Sequence, residues 1–143
     1  MVPKAQLLTR MSRVKGVYLL IVSIAKPMQV RVGALGNISF AKGVYAYVGS
    51  AQNNLEKRVE RHLKKVKRKF WHIDYLLENE NVKILQVFYK ATGKSDECKL
   101  AEEMSRKGTA INGFGSSDCN CKSHLFQLDD YQSLKECMRS MKV

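Results

Sequence analysis

Hydrophobic and polar positions change rhythm along this chain, and each change predicts an element. From Gly16 the text GVYLLIVSIA is a nearly unbroken apolar run rich in β-branched residues, which predicts a strand buried on both faces. Pro27 breaks it, and MQVRV then alternates Met28, Val30 and Val32 against Gln29 and Arg31, as a half-exposed strand does. Gly36-Asn37 is a hairpin-turn signal, Ile38-Ser39-Phe40 resumes as a strand, and Gly43 to Gly49 predicts the next one. That strand feeds the stretch the chain is organised around, Tyr45 to Lys69, YAYVGSAQNNLEKRVERHLKKVKRK. Here the period becomes helical. Leu55, Val59, Leu63, Val66 and Phe70 form one stripe and Arg58, Arg61, Lys65 and Arg68 another. Asn53 serves as N-cap, and Glu56 three residues later completes a capping box.

Further on, Phe70 to Asn79 reads as a short helix or turn carrying the single Trp, and Val82 to Thr92 as a strand. Ser95 or Asp96 caps a helix that stops at Gly108. Gly113 to Leu128 starts as a Gly/Ser/Asp loop and ends as a short strand, and Asp130 to Met141 predicts an amphipathic helix with Tyr131, Leu134, Met138 and Met141 on its apolar side. The order predicts one α+β or mixed α/β domain over residues 1–143, core about 16–128, with helices flanking a small sheet. At 143 residues an ordinary hydrophobic core suffices to hold it.

Charge sharpens this picture. The chain carries a formal +12, and half of it lies between Glu56 and Lys69, where Lys57, Arg58, Arg61, Lys64, Lys65, Lys67, Arg68 and Lys69 face only Glu56 and Glu60. Such a concentration points to a polyanionic partner, nucleic acid ahead of a membrane surface, since no basic stretch faces an aromatic insertion face. The plainer reading is a basic surface that keeps the protein soluble. Arg10, Arg13 and Lys15 interrupt any signal-peptide core and Val17 to Val22 is too short to span a bilayer, so a cytoplasmic location is expected. In that compartment Cys98, Cys119, Cys121 and Cys137 are expected as thiols or metal ligands rather than disulfides.

Five ordered stretches then carry a resemblance: Tyr47 to Ala51 (YVGSA), Arg58 to His62 (RVERH), Phe70 to Leu77 (FWHIDYLL), Glu97 to Ala101 (ECKLA) and Gly113 to Phe126 (GFGSSDCNCKSHLF), together with Gly16-Val17-Tyr18. They resemble the GIY-YIG nuclease superfamily, closest to its archaeal-type branch found alone or fused to endonuclease III. The resemblance implies a small, mainly antiparallel sheet flanked by helices. Residues 19–46 separate Tyr18 from Tyr47 where compact members have a short loop. The strand-and-hairpin text there implies extra strands added at a sheet edge.

The resemblance also implies a metal-dependent endonuclease acting on DNA in preference to RNA, structure-specific and linked to a base-excision repair enzyme. Glu97 would hold a divalent cation, Mg²⁺ or Mn²⁺, at the scissile phosphate, with Glu102 and Glu103 as rivals. Tyr18 would be general base to a water, Tyr47 would position water or phosphate, and Arg58, with Arg61 as rival, would balance transition-state charge. The chemistry is coherent: hard cations prefer carboxylate oxygen, and guanidinium grips phosphate bidentately. A free tyrosine titrates near ~10, so it needs help to act as a base. Taken alone, both tyrosines read as strand residues packed in a sheet, and the motif order turns the reading toward the site.

His62, one turn past Arg58, could reach the same cleft. His72 and Asp74 are open to three readings, as catalytic helpers, phosphate ligands or core hydrogen-bonding groups. Arg61, Lys64, Lys65, Arg68 and Lys69 would track a nucleic-acid backbone. Cys119, Cys121 and His124, with Cys98, offer soft ligands for a structural zinc, but Cys-x-Cys is tighter than ordinary zinc spacings and favours buried thiols in a turn. Ser116, Ser117 and Asp118 are phosphate-binding or simple turn residues. The rival to the nuclease is a nucleic-acid-binding module that does not cleave, and no base-reading motif is visible for either.

Overall fold

A computed structural model describes residues 15–65, 67–116, 119–131, 134 and 138–141. In chain order the elements are β1 (Gly16–Ile24), β2 (Met28–Arg31), a 3-10 turn (Gly33–Leu35), β3 (Asn37–Phe40), β4 (Gly43–Ala51), α1 (Leu55–Leu63), α2 (His72–Leu77), β5 (Val82–Lys90), α3 (Ser95–Lys107), β6 (Gly108–Ala110), β7 (Leu125–Leu128) and β8 (Arg139–Met141). Six strands form one antiparallel sheet in the order β6-β7-β4-β1-β5-β8. The mixed α+β class and the mainly antiparallel sheet match the sequence expectation.

The unbroken apolar run of β1 is explained by its place. It pairs with β4 on one edge and β5 on the other, and both its faces are covered. Because side chains alternate along a strand, Leu19 and Ile21 point with Ala46, Val48 and Phe88 toward Ala101 and Met104 of α3. Tyr18, Leu20, Val22 and Ile24 point the other way, with Tyr45 and Tyr47, toward Leu55 and Val59 of α1 and Ile73 and Leu76 of α2. Truncating a fully buried residue such as Leu20 would cost about 2–5 kcal/mol.

Several expectations are corrected. The β2–β3 hairpin forms a separate two-stranded sheet rather than extending the edge of the main one. Val32 and Phe40 are buried in the α1/α2-side core, so the hairpin lies over that face. The N-cap of α1 is Asn54, whose Oδ1 accepts from Lys57 N at 3.0 Å, not Asn53. The helix ends at Leu63 rather than running to Lys69, because Lys67 folds back and its Nζ donates to the carbonyls of Arg61, His62 and Lys64. The inward stripe is Leu55, Val59 and His62, while Leu63 and Phe70 are exposed and Val66 lies outside the described residues. At about 100° per residue, position 62 lies closer to the 55–59 direction than position 63 does.

At the C-terminal end, Arg139–Met141 is not helical but pairs as β8 with Val87, Phe88 and Tyr89 of β5. Residues 132, 133 and 135–137 of the expected helix lie outside the described residues. The short β6 was not expected, and it pairs with β7. Among the described residues no helix is long and apolar enough to cross a membrane.

Candidate active site

An open cleft of about 610 Å³ lies where β1 and β4 meet α1, with Tyr18, Tyr47, Arg58 and Glu97 all in its lining. The strand register builds its floor. Tyr18 stands directly across from Gly49, and a Cβ at position 49 would come within 2.4 Å of the Tyr18 hydroxyl. Glycine there lets the phenol lie against the backbone of β4. Tyr47, two residues earlier on the same strand, points to the same face by the period of two. Gly115, with φ +71, closes the far side, since a side chain there would press on Tyr47 and His124 at 3.2 Å.

His62 reaches this floor from α1. Its Nε2 is 2.7 Å from the Tyr18 hydroxyl, and both residues are fully buried. Burial pushes the Tyr18 phenol well above its ordinary value, against the pull of the nearby Arg58 guanidinium. Tyr47 is raised too, by burial first and then by the charges around it. Burial, helped by the positive charge of Lys67, lowers His62 to about 3. At neutral pH the pair is therefore a protonated phenol beside a neutral imidazole, and His62 Nδ1 is buried with no hydrogen-bond partner.

The two arginines of α1 have different duties. Arg58 donates Nη1 to Ser50 O at 3.0 Å, and its guanidinium stacks 4.4 Å from the centre of the Trp71 ring, on the cleft wall. Arg61 stacks on Trp71 at the same distance but holds both oxygens of Asp74 at 2.9 Å and donates to Arg68 O. Asp74 is fully buried and also accepts from Phe70 N and Trp71 N, fastening the start of α2. Burial alone would raise its carboxyl, but Arg61 and these N–H groups hold it below the usual aspartate value.

The remaining basic residues divide likewise. Lys65 Nζ donates to the carbonyls of Leu77, Asn79 and Val82, and Lys69 pairs with Glu78 at 3.0 Å. Lys64 is exposed just past the end of α1, and Arg68 is exposed beside Phe70. His72 Nδ1 accepts from Gly115 N at 2.8 Å, pinning the glycine loop to α2. Of the rivals to Glu97, Glu102 pairs with Arg106 on the outer side of α3, and neither it nor Glu103 is in the cleft lining.

Glu97 comes from the first turn of α3 and lies 3.8 Å from His124 Nδ1. Cys98, Cys119, Cys121 and His124 are drawn together behind it, and Ser116 is buried nearby in the chain, while Ser117 and Asp118 lie outside the described residues. A single carboxylate on the wall of an open polar cleft suits a hard divalent ion, which takes one or two protein carboxylates and completes its shell with water and phosphate oxygen.

Sequence reasoning did not single out Lys57, Lys94 or Trp71 as site residues, yet all three line the cleft. Trp71 was the findable one. The single Trp of the chain, in an aromatic pair with Phe70 that follows the basic run carrying Arg58 and Arg61 at a spacing of three, is a ready cation–π platform. No curated protein and no solved structure matches the chain. Residues 17–143, nearly its whole length, match a family described as domain of unknown function DUF123, and the chain belongs to that family.

Proposed function

We propose that this protein is a divalent-cation-dependent endonuclease of the GIY-YIG type. It would hydrolyse phosphodiester bonds in DNA in preference to RNA, selecting a branched or damaged structure rather than a base sequence, in a repair setting. One observation carries the reading: the Tyr18 hydroxyl sits 2.7 Å from His62 Nε2 at the floor of an open cleft whose walls present Arg58 and Glu97.

In this reading the phosphate lies against Arg58, whose planar donors match phosphate oxygens. Lys57 and Lys94 flank it from the rim. The protonated phenol donates to the neutral His62 Nε2, which turns the hydroxyl's lone pairs to the cleft. A water beside the phosphate gives its proton to Tyr18 as Tyr18 passes its own to His62. The water oxygen bonds to phosphorus as the bond to the leaving oxygen breaks, and the imidazole ends with one extra proton. His62 alone is a weak acceptor, at about 3. The negative charge of a bound phosphodiester raises it. The unpartnered His62 Nδ1 is a polar cost that fits a functional site better than a purely structural one. Glu97 would hold Mg²⁺ or Mn²⁺, which supplies positive charge for the developing oxyanion.

The test is cleavage of labelled branched, gapped, duplex and single-stranded DNA and RNA, with Mg²⁺ or Mn²⁺ and with chelator, beside Glu97→Ala and Tyr18→Phe. Metal-dependent cutting that both substitutions abolish is expected. Binding across the panel with no cutting under any condition would replace the nuclease with a nucleic-acid-binding module.

A further inference from the structure

We propose that Cys98, Cys119, Cys121 and His124 bind one structural zinc ion, which ties the first turn of α3 to the loop between β6 and β7. The four ligand atoms come from two stretches some twenty residues apart, yet all lie within 4.8 Å of one another. With Zn–S near 2.3 Å and Zn–N near 2.05 Å, a tetrahedral site has sulfur–nitrogen edges of about 3.5 Å and sulfur–sulfur edges of about 3.8 Å. The Cys119 Sγ to His124 Nε2 separation is already 3.4 Å. Closing the rest around an ion takes side-chain shifts of about an ångström or less.

The donor set selects the metal. Three thiols and an imidazole, with no carboxylate among them, are soft ligands that suit zinc and not magnesium or calcium. The tight grouping encloses a single ion, whereas an iron–sulfur cluster needs its ligands divided between two or more irons and spread more widely. The Cys-x-Cys spacing that argues against zinc in the sequence is relieved by Cys98, which supplies a thiol from another element. The net negative charge of three thiolates around Zn²⁺ has Lys99 and Lys122 beside it, in the pocket that adjoins Cys98, Cys119 and Cys121.

The backbone supports the site from both sides. Gly113 N donates to Lys122 O, His124 N to Phe114 O and Val48 N to His124 O, so the loop is fastened to itself and to β4. By contrast α3 begins without a side-chain N-cap. A metal bond through Cys98 anchors that open end. Metal on Nε2 leaves the His124 hydrogen on Nδ1, facing Glu97 Oε1, which is the outer-shell arrangement that orients metal-bound histidines. The zinc assignment stands on the four ligands alone and does not depend on the nuclease reading.

The experiment needs no nucleic acid. The full chain, reduced and loaded with Zn²⁺, is freed of loose metal by gel filtration and its metal content measured, and the stripped chain is titrated with Co²⁺. About one zinc per chain is expected, with a tetrahedral thiolate Co²⁺ spectrum that Zn²⁺ abolishes. Both are lost in the Cys119→Ser/Cys121→Ser double variant and kept in Glu103→Gln, which removes a carboxylate of the same helix that is neither in the cleft lining nor among the ligands. The proposal is overturned if the wild-type chain keeps no zinc and gives no thiolate–Co²⁺ bands, if iron is retained in place of zinc, or if the double variant binds as well as wild type. Failure to cut DNA leaves each of these readings intact.

Discussion

Two sets of cations belong to the same basic stretch and its surroundings, and they behave in opposite ways. Lys65 and Lys67 turn their charges onto six backbone carbonyls, and Arg61, although it also lines the cleft, commits its guanidinium to Asp74 and the Arg68 carbonyl. Lys57, Arg58 and Lys94 line the open cleft. The lesson concerns net charge: a cluster of Lys and Arg measures attraction for a polyanion only after subtracting those that cap helices and close turns. A long cationic stem is a good tool for that closure, because its methylenes pack while its head collects several acceptors.

Substitutions should pull the two sets apart. The largest effect is expected on the cleft side, where Tyr18→Phe and Glu97→Ala should each reduce metal-dependent turnover by about 100- to 10,000-fold with DNA binding retained. Glu97→Ala should keep the melting temperature, while Tyr18→Phe strands the buried His62 Nε2 at a cost of about 1–3 kcal/mol. Equal turnover in wild type and Tyr18→Phe would remove the phenol from the chemistry. On the inward side, Asp74→Ala should destabilise the fold by about 3–5 kcal/mol in denaturant titration, since it strands Arg61 and two N–H groups.

Acid separates the sets by a different route. His62 binds a proton in the unfolded chain below about 6.5 but not in the folded one until about 3. Stability should therefore fall as pH drops through that window, by up to ~1.4 kcal/mol per pH unit for this one group. His62→Phe should flatten the slope. Asp74, held low, adds stability that is fully present above about pH 4 and is lost below it. The smallest effects come from single cations. Lys67→Met should cost about 1 kcal/mol of stability and leave the salt dependence of DNA binding unchanged. Arg58→Ala and Lys57→Ala should each reduce the log–log salt slope by about one with little change in stability.

What was legible in the sequence follows from how local each signal is. The apolar run of β1, the alternation of β2 and the start of a helix at Leu55 depend on neighbours a few residues away and appear as read, whereas the inward stripe passes through His62 in place of Leu63. The end of α1 does not, because it is decided by Lys67 returning to the carbonyls of Arg61, His62 and Lys64. Likewise Arg139–Met141 looked helical by its spacing, but the free edge of β5 recruits it as a strand. Within the cleft, the ordered motifs named Tyr18, Tyr47, Arg58 and Glu97, which the structure brings together. They were silent on which arginine Asp74 would occupy, since that depends on how α2 folds back over α1.

The bare Cα of Gly49 has a consequence best put in genetic terms. Every glycine codon lies one base change from an alanine codon, and alanine here would drive a methyl group into the buried Tyr18 ring. A one-letter mutation on β4 would thus displace the phenol while leaving every polar side chain of the cleft chemically intact. In a cell, that allele would expose dependence on the position of Tyr18 as distinct from the presence of its hydroxyl.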